Sequence, residues 1–219
     1  MGIVQKPEFS IFQSIMKKDS LTALHSLHVA HLYKNSVLAL GLKLDSKQAY
    51  IAGLFHDIGK IKAPDVIFSK KSPLSTEEYE MVKMHPKESS NLLKAENIAQ
   101  NICEIALLHH EREDGSGYPY GISHKEIAPE VKLIAIVDSF CAIIERRAYR
   151  NPESIQTAMN ILYASSVKYD RKLLNSYFDH LELVYKTTLS DIYAECTVIP
   201  IQQEIYKYSL NYKNNSCPS

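Results

Sequence analysis

Nine histidines stand out in this chain, and several of them have acidic or histidine neighbours. His56 precedes Asp57, His109 precedes His110, and both pairs directly follow apolar stretches. Adjacent residues on a helix project about 100° apart, so each pair can turn both of its side chains into one cavity. Polar side chains at the end of a buried helix need partners or a metal ion. The two pairs therefore predict a buried polar site.

Three further residues, His25, His85 and Asp138, complete a set of five histidines and two aspartates. Neutral imidazoles and carboxylates together suit first-row divalent metals such as Mn, Fe, Co, Ni or Zn. Two such ions, two aspartates and one bridging hydroxide leave a net charge of about +1, which attracts a phosphate group. A pair of ions also stabilises both the attacking and the leaving oxygen of an in-line displacement. The set thus predicts a two-metal site for phosphate chemistry.

The elements that must position these side chains are helices, because apolar residues recur at helical spacing along most of the chain. The predicted helices cover residues 19–41, 45–59, 75–86, 97–110, 129–147, from 151 onward, and 170–186. Pro86 is expected to break or kink the third of them. Residues 112–121 contain three glycines and one proline, which is typical of an irregular loop. We predict an all-α, single-domain protein with a helical lead-in at 1–18, a main domain at 19–186 and an extension of uncertain structure at 187–219.

Composition excludes several other classes of protein. The 219 residues are 45% apolar and 23% charged, which is ordinary for a globular domain and rules out wholesale disorder. Basic and acidic residues balance at 25 each, so a role in binding polymeric nucleic acid through bulk charge is not expected. No apolar run is long enough to span a bilayer, and no signal peptide is visible. The expected location is the cytoplasm, without membrane contact.

Two motifs resemble those of a known family. The stretch HDIGK at 56–60 resembles the HD motif of the HD phosphohydrolase superfamily. The stretch HHE at 109–111, followed by DGSGYP at 114–119, resembles the signature of the HD-GYP subfamily. The resemblance covers roughly residues 20–185 and includes RAYR at 147–150. It implies an HD-type helical bundle that hydrolyses the bacterial second messenger cyclic di-GMP.

The resemblance also implies a set of metal ligands, and these fall into two groups that share Asp57 as a bridge. One ion would be held by His25, His56, Asp57 and Asp138, and the other by Asp57, His85, His109 and His110. Fe and Mn are the favoured metals, with Ni, Co and Zn as alternatives.

Three positions depart from the family pattern. Some members hold a third ion through a Glu one turn before the first histidine, and that position is Leu21 here. Leucine cannot coordinate a metal, so two ions per chain are expected. Cys141 stands where the family often has Asp, and Ser89 stands where Gly is usual. Neither of these last two changes removes a predicted ligand.

The substrate contacts follow from the same resemblance. Lys60 would act beside the catalytic Asp57, either on a phosphate oxygen or by protonating the leaving oxygen. Arg147 and Arg150 would clamp a phosphate, since guanidinium matches its geometry; Arg146 competes for this role by proximity. The loop residues Gly117, Tyr118 and Pro119 would contact the ligand or a diguanylate cyclase domain, although a rigid turn that packs the site is the alternative.

The implied reaction is hydrolysis of cyclic di-GMP to linear pGpG, and by a second cut to GMP, through a hydroxide that bridges two metals. The nearest alternative substrate is a mixed cyclic GMP-AMP dinucleotide. A weakly catalytic module that senses a nucleotide or docks a cyclase belongs to a different class, and the full ligand set argues against it. Hydrolysis of a mononucleotide or a guanosine polyphosphate is a third alternative. The predicted loop at 112–121, which contains the GYP motif at 117–119 and is called the GYP loop below, argues against it.

Overall fold

The computed structural model describes residues 14–185 except 16, 66, 68–69, 71, 73 and 146–150. Over these residues the chain is helical and contains no strand, so the all-α prediction is confirmed. The α-helices are α1 Ser20–Ala39, α2 Ser46–Phe55, α3 Thr76–Val82, α4 His85–Ala95, α5 Gln100–Leu108, α6 Pro129–Ile144, α7 Ile155–Ala164 and α8 Arg171–Tyr185. Short 3-10 helices lie at Ile58–Lys62, His124–Glu126 and Ser166–Lys168. None of these helices is both long and apolar enough to cross a membrane.

Contacts divide the chain into a unit of residues 1–180 and a unit of residues 181–219, and the predicted ligands belong to the first. Predictions for Arg146, Arg147, Arg150 and the extension at 187–219 fall outside the described residues.

Side-chain caps start several helices where the sequence predicts them. Asp19 accepts a hydrogen bond from the backbone N–H of Leu21 at the start of α1. Asp45 and Gln48 form a reciprocal capping box at α2, and Ser75 forms another at α3. Such caps satisfy backbone N–H groups that have no partner within the helix.

The sequence predicts a break or a kink at Pro86, and the structure has a break there, whereas one predicted helix start is wrong. The stretch 75–86 is two helices, because α3 ends at Val82 and Pro86 lies in the first turn of α4. Proline fits the first turn, where its missing N–H costs nothing. The helix expected from 151 begins at Ile155, because Ser154 rather than Asn151 supplies the cap.

The core forms around α6, in which eleven of sixteen residues are buried. Helix α1 packs against both α2 and α6, and α4 packs against α5 and the 3-10 helix at 58–62. The contact between α1 and α2 is close at Gly53, where an added Cβ would lie 2.5 Å from the Cα of Ala30. Five helices thus meet in one region: α1, α2, α4, α5 and α6.

Candidate metal centre

The seven predicted ligands come from these five helices or the residues just after them. Six are buried and one, His110, is partly buried. His25 and Asp138 lie within α1 and α6, and His85 is the first residue of α4. The remaining residues follow helix ends: His56 and Asp57 come after α2, and His109 and His110 come after α5.

Three of the histidines are oriented by backbone carbonyls three residues earlier. The Nδ1 atom of each ring lies within hydrogen-bonding distance of that oxygen: 2.8 Å from His56 to Gly53, 2.6 Å from His85 to Val82, and 2.8 Å from His109 to Ala106. A carbonyl can only accept, so Nδ1 carries the proton and Nε2 of the neutral ring keeps its lone pair. This tautomer, assigned from the hydrogen-bond network, is the one that a metal ligand needs.

Asp57 faces a different group of imidazoles with each carboxylate oxygen. Its Oδ1 lies 3.0 Å from Nε2 of His85 and 3.7 Å from Nε2 of His109. Its Oδ2 lies 3.4 Å from Nε2 of His56 and 4.0 Å from Nε2 of His25, and it accepts a hydrogen bond from Lys60 Nζ. A carboxylate that points both ways in this manner is suited to bridge two cations.

Asp138 connects the same two groups from the opposite side of the cluster. Its Oδ1 lies 2.9 Å from Nε2 of His25 and 3.8 Å from Nε2 of His56. Its Oδ2 lies 3.9 Å from Nδ1 of His110. These three distances join Asp138 in α6 to histidines in α1, after α2 and after α5, which are far apart in the sequence.

The donor set fits divalent cations. Two groups have donor atoms that all lie within 4.8 Å of one another: Asp57, His85, His109 and His110 in one, and His25, His56 and Asp57 in the other. The Nε2 atoms of His85 and His109 are 3.2 Å apart, and each is a lone-pair atom in the tautomer described above. Nε2 of His56 and Oδ1 of Asp57 are buried without a hydrogen-bond partner among the described residues. A cation satisfies such atoms, whereas leaving them unpaired costs free energy.

The electrostatics of the cluster point the same way. Burial lowers the pKa of His109 to about 4 and lowers that of His110, so both rings are neutral donors near pH 7. Burial also lowers the pKa of His56, but the carboxylates of Asp57 and Asp138 outweigh it and raise that pKa to about 10. Asp57 keeps a pKa well below its ordinary value in spite of burial, because Lys60 and His56 stabilise the carboxylate. Two buried carboxylates thus favour positive charge at His56, and a metal ion on Nε2 would supply that charge in place of a second ring proton.

The GYP loop is held against the cluster by Glu111, a buried residue to which the sequence assigned no role. Its carboxylate accepts hydrogen bonds from the backbone N–H groups of Tyr120, at 2.7 Å, and Ile122, at 3.1 Å. Gly117 permits the loop to approach, since an added Cβ would lie 2.5 Å from backbone atoms of residues 110–112. The ring of Tyr118 then stacks on His110 with centroids 4.7 Å apart. Pro119 follows through a cis peptide bond.

The backbone also packs closely against α4 at Gly59, two residues after Asp57. A Cβ at Gly59 would lie 2.1 Å from the carbonyl oxygen of His85 and 2.5 Å from the N atom of Ser89. The Gly59 N–H donates to Ser89 Oγ at 2.8 Å. The hydroxyl at position 89, where the family usually has glycine, therefore ties Asp57 to the helix that carries His85.

Glu145 is a further residue that the sequence did not single out. It is buried at the end of α6, with Oε2 2.8 Å from Nδ1 of His25 and Oε1 2.7 Å from Nδ1 of His28. Burial raises the pKa of Glu145, but His25 and His28 outweigh it and hold that pKa at about 2. His28, which is not among the predicted ligands, therefore contacts the cluster through Glu145. A glutamate seven residues after Asp138 is the only hint that the sequence offers.

This fold and cluster are those of an HD domain. The HD domain family model matches residues 13–173, and the chain belongs to that family. The predicted family and the HD-type bundle are thereby confirmed.

The chain is also similar in sequence to proteins named as cyclic dinucleotide phosphodiesterases. Over 146 residues the chain is 38% identical to the 3′3′-cGAMP-specific phosphodiesterase 1 of Vibrio cholerae, which covers 66% of this chain and 34% of that protein. Over 119 residues it is 43% identical to a cyclic di-GMP phosphodiesterase of Thermotoga maritima, covering 53% of this chain and 32% of that protein. The chain thus spans about a third of the length of these relatives.

A solved structure shares the fold. Bd1817, an HDG"Y"P protein from Bdellovibrio bacteriovorus, matches with a TM-score of 0.58 and 22% identity. The match covers 72% of this chain and 51% of that one.

Proposed function

We propose that this chain is the catalytic part of a metal-dependent phosphodiesterase that hydrolyses cyclic di-GMP to linear pGpG and then to GMP. The observation that carries the proposal is the pair of donor groups sharing Asp57, one carboxylate oxygen to each group. Similarity to enzymes named as cyclic dinucleotide phosphodiesterases supplies the substrate class. The catalytic domain in this proposal extends over residues 19–186.

The metal centre in this proposal has two divalent ions, Fe or Mn in preference to Ni, Co or Zn. One would be held by His25, His56, Asp57 and Asp138, and the other by Asp57, His85, His109 and His110. Leu21, one turn before His25, offers no donor atom, which supports two ions rather than three. Bound ions of this kind polarise a phosphate and lower the pKa of a water molecule.

Lys60 supplies a positively charged side chain at the edge of the site. Its Nζ donates to Asp57, and its side chain is 19% exposed, so the ammonium group lies where the buried cluster meets solvent. From there it can donate to a phosphate oxygen or to the leaving 3′ oxygen, where negative charge develops during the reaction. Asp57 and Lys60 are accordingly the proposed catalytic pair.

The substrate-binding residues in this proposal, besides Lys60, come from the GYP loop and from the segment that follows α6 in the sequence. Tyr118 stacks beside His110, and Gly117 and Pro119 flank it in the loop held by Glu111. Arg147 and Arg150 follow α6, which carries Asp138, and we assign them the phosphate clamp on the sequence motif alone. The same loop would be the surface for a diguanylate cyclase domain. Because the substrate is an intracellular messenger, we place the domain in the cytoplasm.

A mixed cyclic GMP-AMP dinucleotide is the second candidate substrate. It is favoured by the 38% identity to a protein named as a 3′3′-cGAMP-specific phosphodiesterase, which is the longer of the two alignments described above.

The test is hydrolysis of a panel of cyclic dinucleotides by the full chain, with metal loaded and analysed without oxygen. We expect two ions per chain, and linear pGpG followed by GMP as products from cyclic di-GMP. A faster reaction with cyclic GMP-AMP would establish the second candidate instead. A chain that binds two ions and hydrolyses no cyclic dinucleotide would contradict both.

A further inference from the structure

One histidine of the cluster is oriented differently from the others. His56, His85 and His109 each use a carbonyl from the last turn of the preceding helix, where carbonyls have no helical partner. His25 lies in the interior of α1, Ser20–Ala39, where the carbonyls are engaged in the helix. A side chain must therefore supply the acceptor for its Nδ1 atom.

Glu145 meets that need. It follows α6 directly in an extended conformation and is only 7% exposed. It lies seven residues, about two helical turns, beyond Asp138, so the two carboxylates share one side of α6. Asp138 lies 2.9 Å from Nε2 of His25, and Glu145 lies 2.8 Å from Nδ1 of the same ring.

The second oxygen of Glu145 is fixed as well. Its Oε1 lies 2.7 Å from Nδ1 of His28, which is three residues after His25 and therefore on the same face of α1. With both oxygens engaged by α1, the carboxylate cannot rotate away from His25.

We propose that Glu145 is a positioning residue for the metal centre: with His28 on its other oxygen, it holds His25 with Nδ1 protonated and Nε2 presented as a donor atom. An ionised carboxylate accepts and does not donate, so Glu145 keeps a proton on Nδ1 of His25. Nε2, which faces the proposed ligand Asp138, is then the nitrogen left to bind a metal ion. This inference rests on the proposed metal centre, and it assigns a role to two residues outside both sequence motifs.

The direct test is metal binding by Glu145→Gln. Glutamine keeps the size of the side chain, but its amide N–H cannot accept a proton from an imidazole. The amide N–H must then face one of the two imidazoles, so one contact breaks, or the ring that it faces, His25 or His28, shifts its proton to Nε2. Loss of such a supporting carboxylate typically weakens metal affinity by about 10–100-fold. We expect this loss for the ion assigned to His25, His56 and Asp138, with the other ion retained.

The measurement is equilibrium dialysis of the metal-free full chain against Mn²⁺ or Zn²⁺ alone, with metal analysis. His28→Gln should weaken the same ion by a smaller factor, and Glu104→Gln, at an exposed position of α5, should bind as the wild type does. Wild-type affinity for both ions in Glu145→Gln would overturn this inference alone. A wild-type chain that binds no ion would overturn the proposed function as well.

Two further measurements distinguish the proposed positioning role of Glu145 from a purely structural one. Such a role would lower the melting temperature of the metal-free variant and leave its ion affinities unchanged, which overturns the proposal. If Glu145→Gln does not fold, the Zn²⁺-loaded wild-type chain still gives an answer through ¹H–¹⁵N spectra of its histidine rings. The proposal requires a proton on Nδ1 of His25, and a proton on Nε2 would overturn it.

Discussion

Asp57 is the residue at which the two donor groups converge, since each of its oxygens faces different imidazoles. Replacing it with alanine removes the bridge and one of the two buried carboxylates that favour cations here. We expect Asp57→Ala to purify folded, to bind neither ion and to lose hydrolysis, as measured by metal analysis and a product assay. Asp65→Ala, whose side chain is 88% exposed, is the matched control. Two bound ions and near-normal hydrolysis in Asp57→Ala would refute the bridge.

Lys60 should behave differently, because an ammonium group acts on the substrate and does not bind the metal. Loss of one charge-assisted hydrogen bond costs about 1.5–3 kcal/mol, or roughly a tenfold to hundredfold change in rate. If that bond strengthens in the transition state, Lys60→Ala lowers kcat more than it raises KM. Steady-state kinetics with metal analysis test this, with the exposed Lys62→Ala as control. Loss of metal in Lys60→Ala would instead assign Lys60 to support of the cluster.

The sequence predicts the chemistry of individual ligands better than it predicts their supports. Paired residues such as His56–Asp57 carry a spacing signal, and the family resemblance extends it to His25 and Asp138. Glu111 belongs to the HHE motif, but the motif does not indicate its role, and Glu145 lies outside both motifs. The contacts of both residues depend on how α1, α6 and the GYP loop pack. Support of a site by a distant carboxylate is a tertiary property that helical periodicity cannot show.

At the scale of elements, the turn after α2 must be fixed on α4 for Asp57 to reach His85. Ser89 accepts the Gly59 N–H there, and both groups are buried. We expect Ser89→Ala to leave that N–H unsatisfied and to lower the free energy of unfolding by about 1–3 kcal/mol in a urea titration.

The neighbouring Ser90→Ala is a stringent control for this prediction. Ser90 is also buried in α4, but its hydroxyl has no hydrogen-bond partner among the described residues. Its removal should change stability by less than about 0.5 kcal/mol, or be slightly stabilising. Equal losses of unfolding free energy in the two variants would show that the hydrogen bond to Ser89 does not itself stabilise the fold.

The GYP loop depends on Glu111 in a similar way. In Glu111→Gln the remaining side-chain oxygen still accepts a hydrogen bond from one of the two backbone N–H groups. The amide NH₂ group faces the other N–H, and because both are donors that hydrogen bond is lost. We expect hydrogen exchange at the Tyr120 or Ile122 amide to become about 10–100-fold faster, which corresponds to roughly 1.5–3 kcal/mol. KM should rise while metal content stays constant. Glu104→Gln is the exposed control, and unchanged exchange at both amides would contradict the role of Glu111.

Helix boundaries were predictable where a side chain caps the helix and not where several candidates compete. Asp45 and Ser75 have reciprocal partners three residues on, and both starts are correct. The predicted start of α7 is Asn151, but the Ser154 hydroxyl accepts a hydrogen bond from the Thr157 N–H and caps the helix instead. Pro86 is compatible with either a kink or a fresh start, and only packing decides between them.

For the whole molecule, the proposed centre connects segments that are far apart in the chain. Its ligands extend from His25 to Asp138, and they come from α1, α2, α4, α5 and α6 or their ends. Bound ions would therefore stabilise the packing of all five helices against one another. Metal removal is expected to weaken the fold as well as the activity.

Thermal unfolding with and without a chelator tests that expectation. An ion present at 100 times its dissociation constant stabilises the folded state by about 2.7 kcal/mol. For a domain of this size, the loss of that energy lowers the melting temperature by about 5–11 °C. We expect such a fall when the metal-loaded chain is treated with a chelator, and its reversal when Mn²⁺ is restored. Asp57→Ala should melt at one temperature in both conditions, because it binds no ion. A chelator-dependent shift of equal size in Asp57→Ala would place the stabilising metal somewhere other than this cluster.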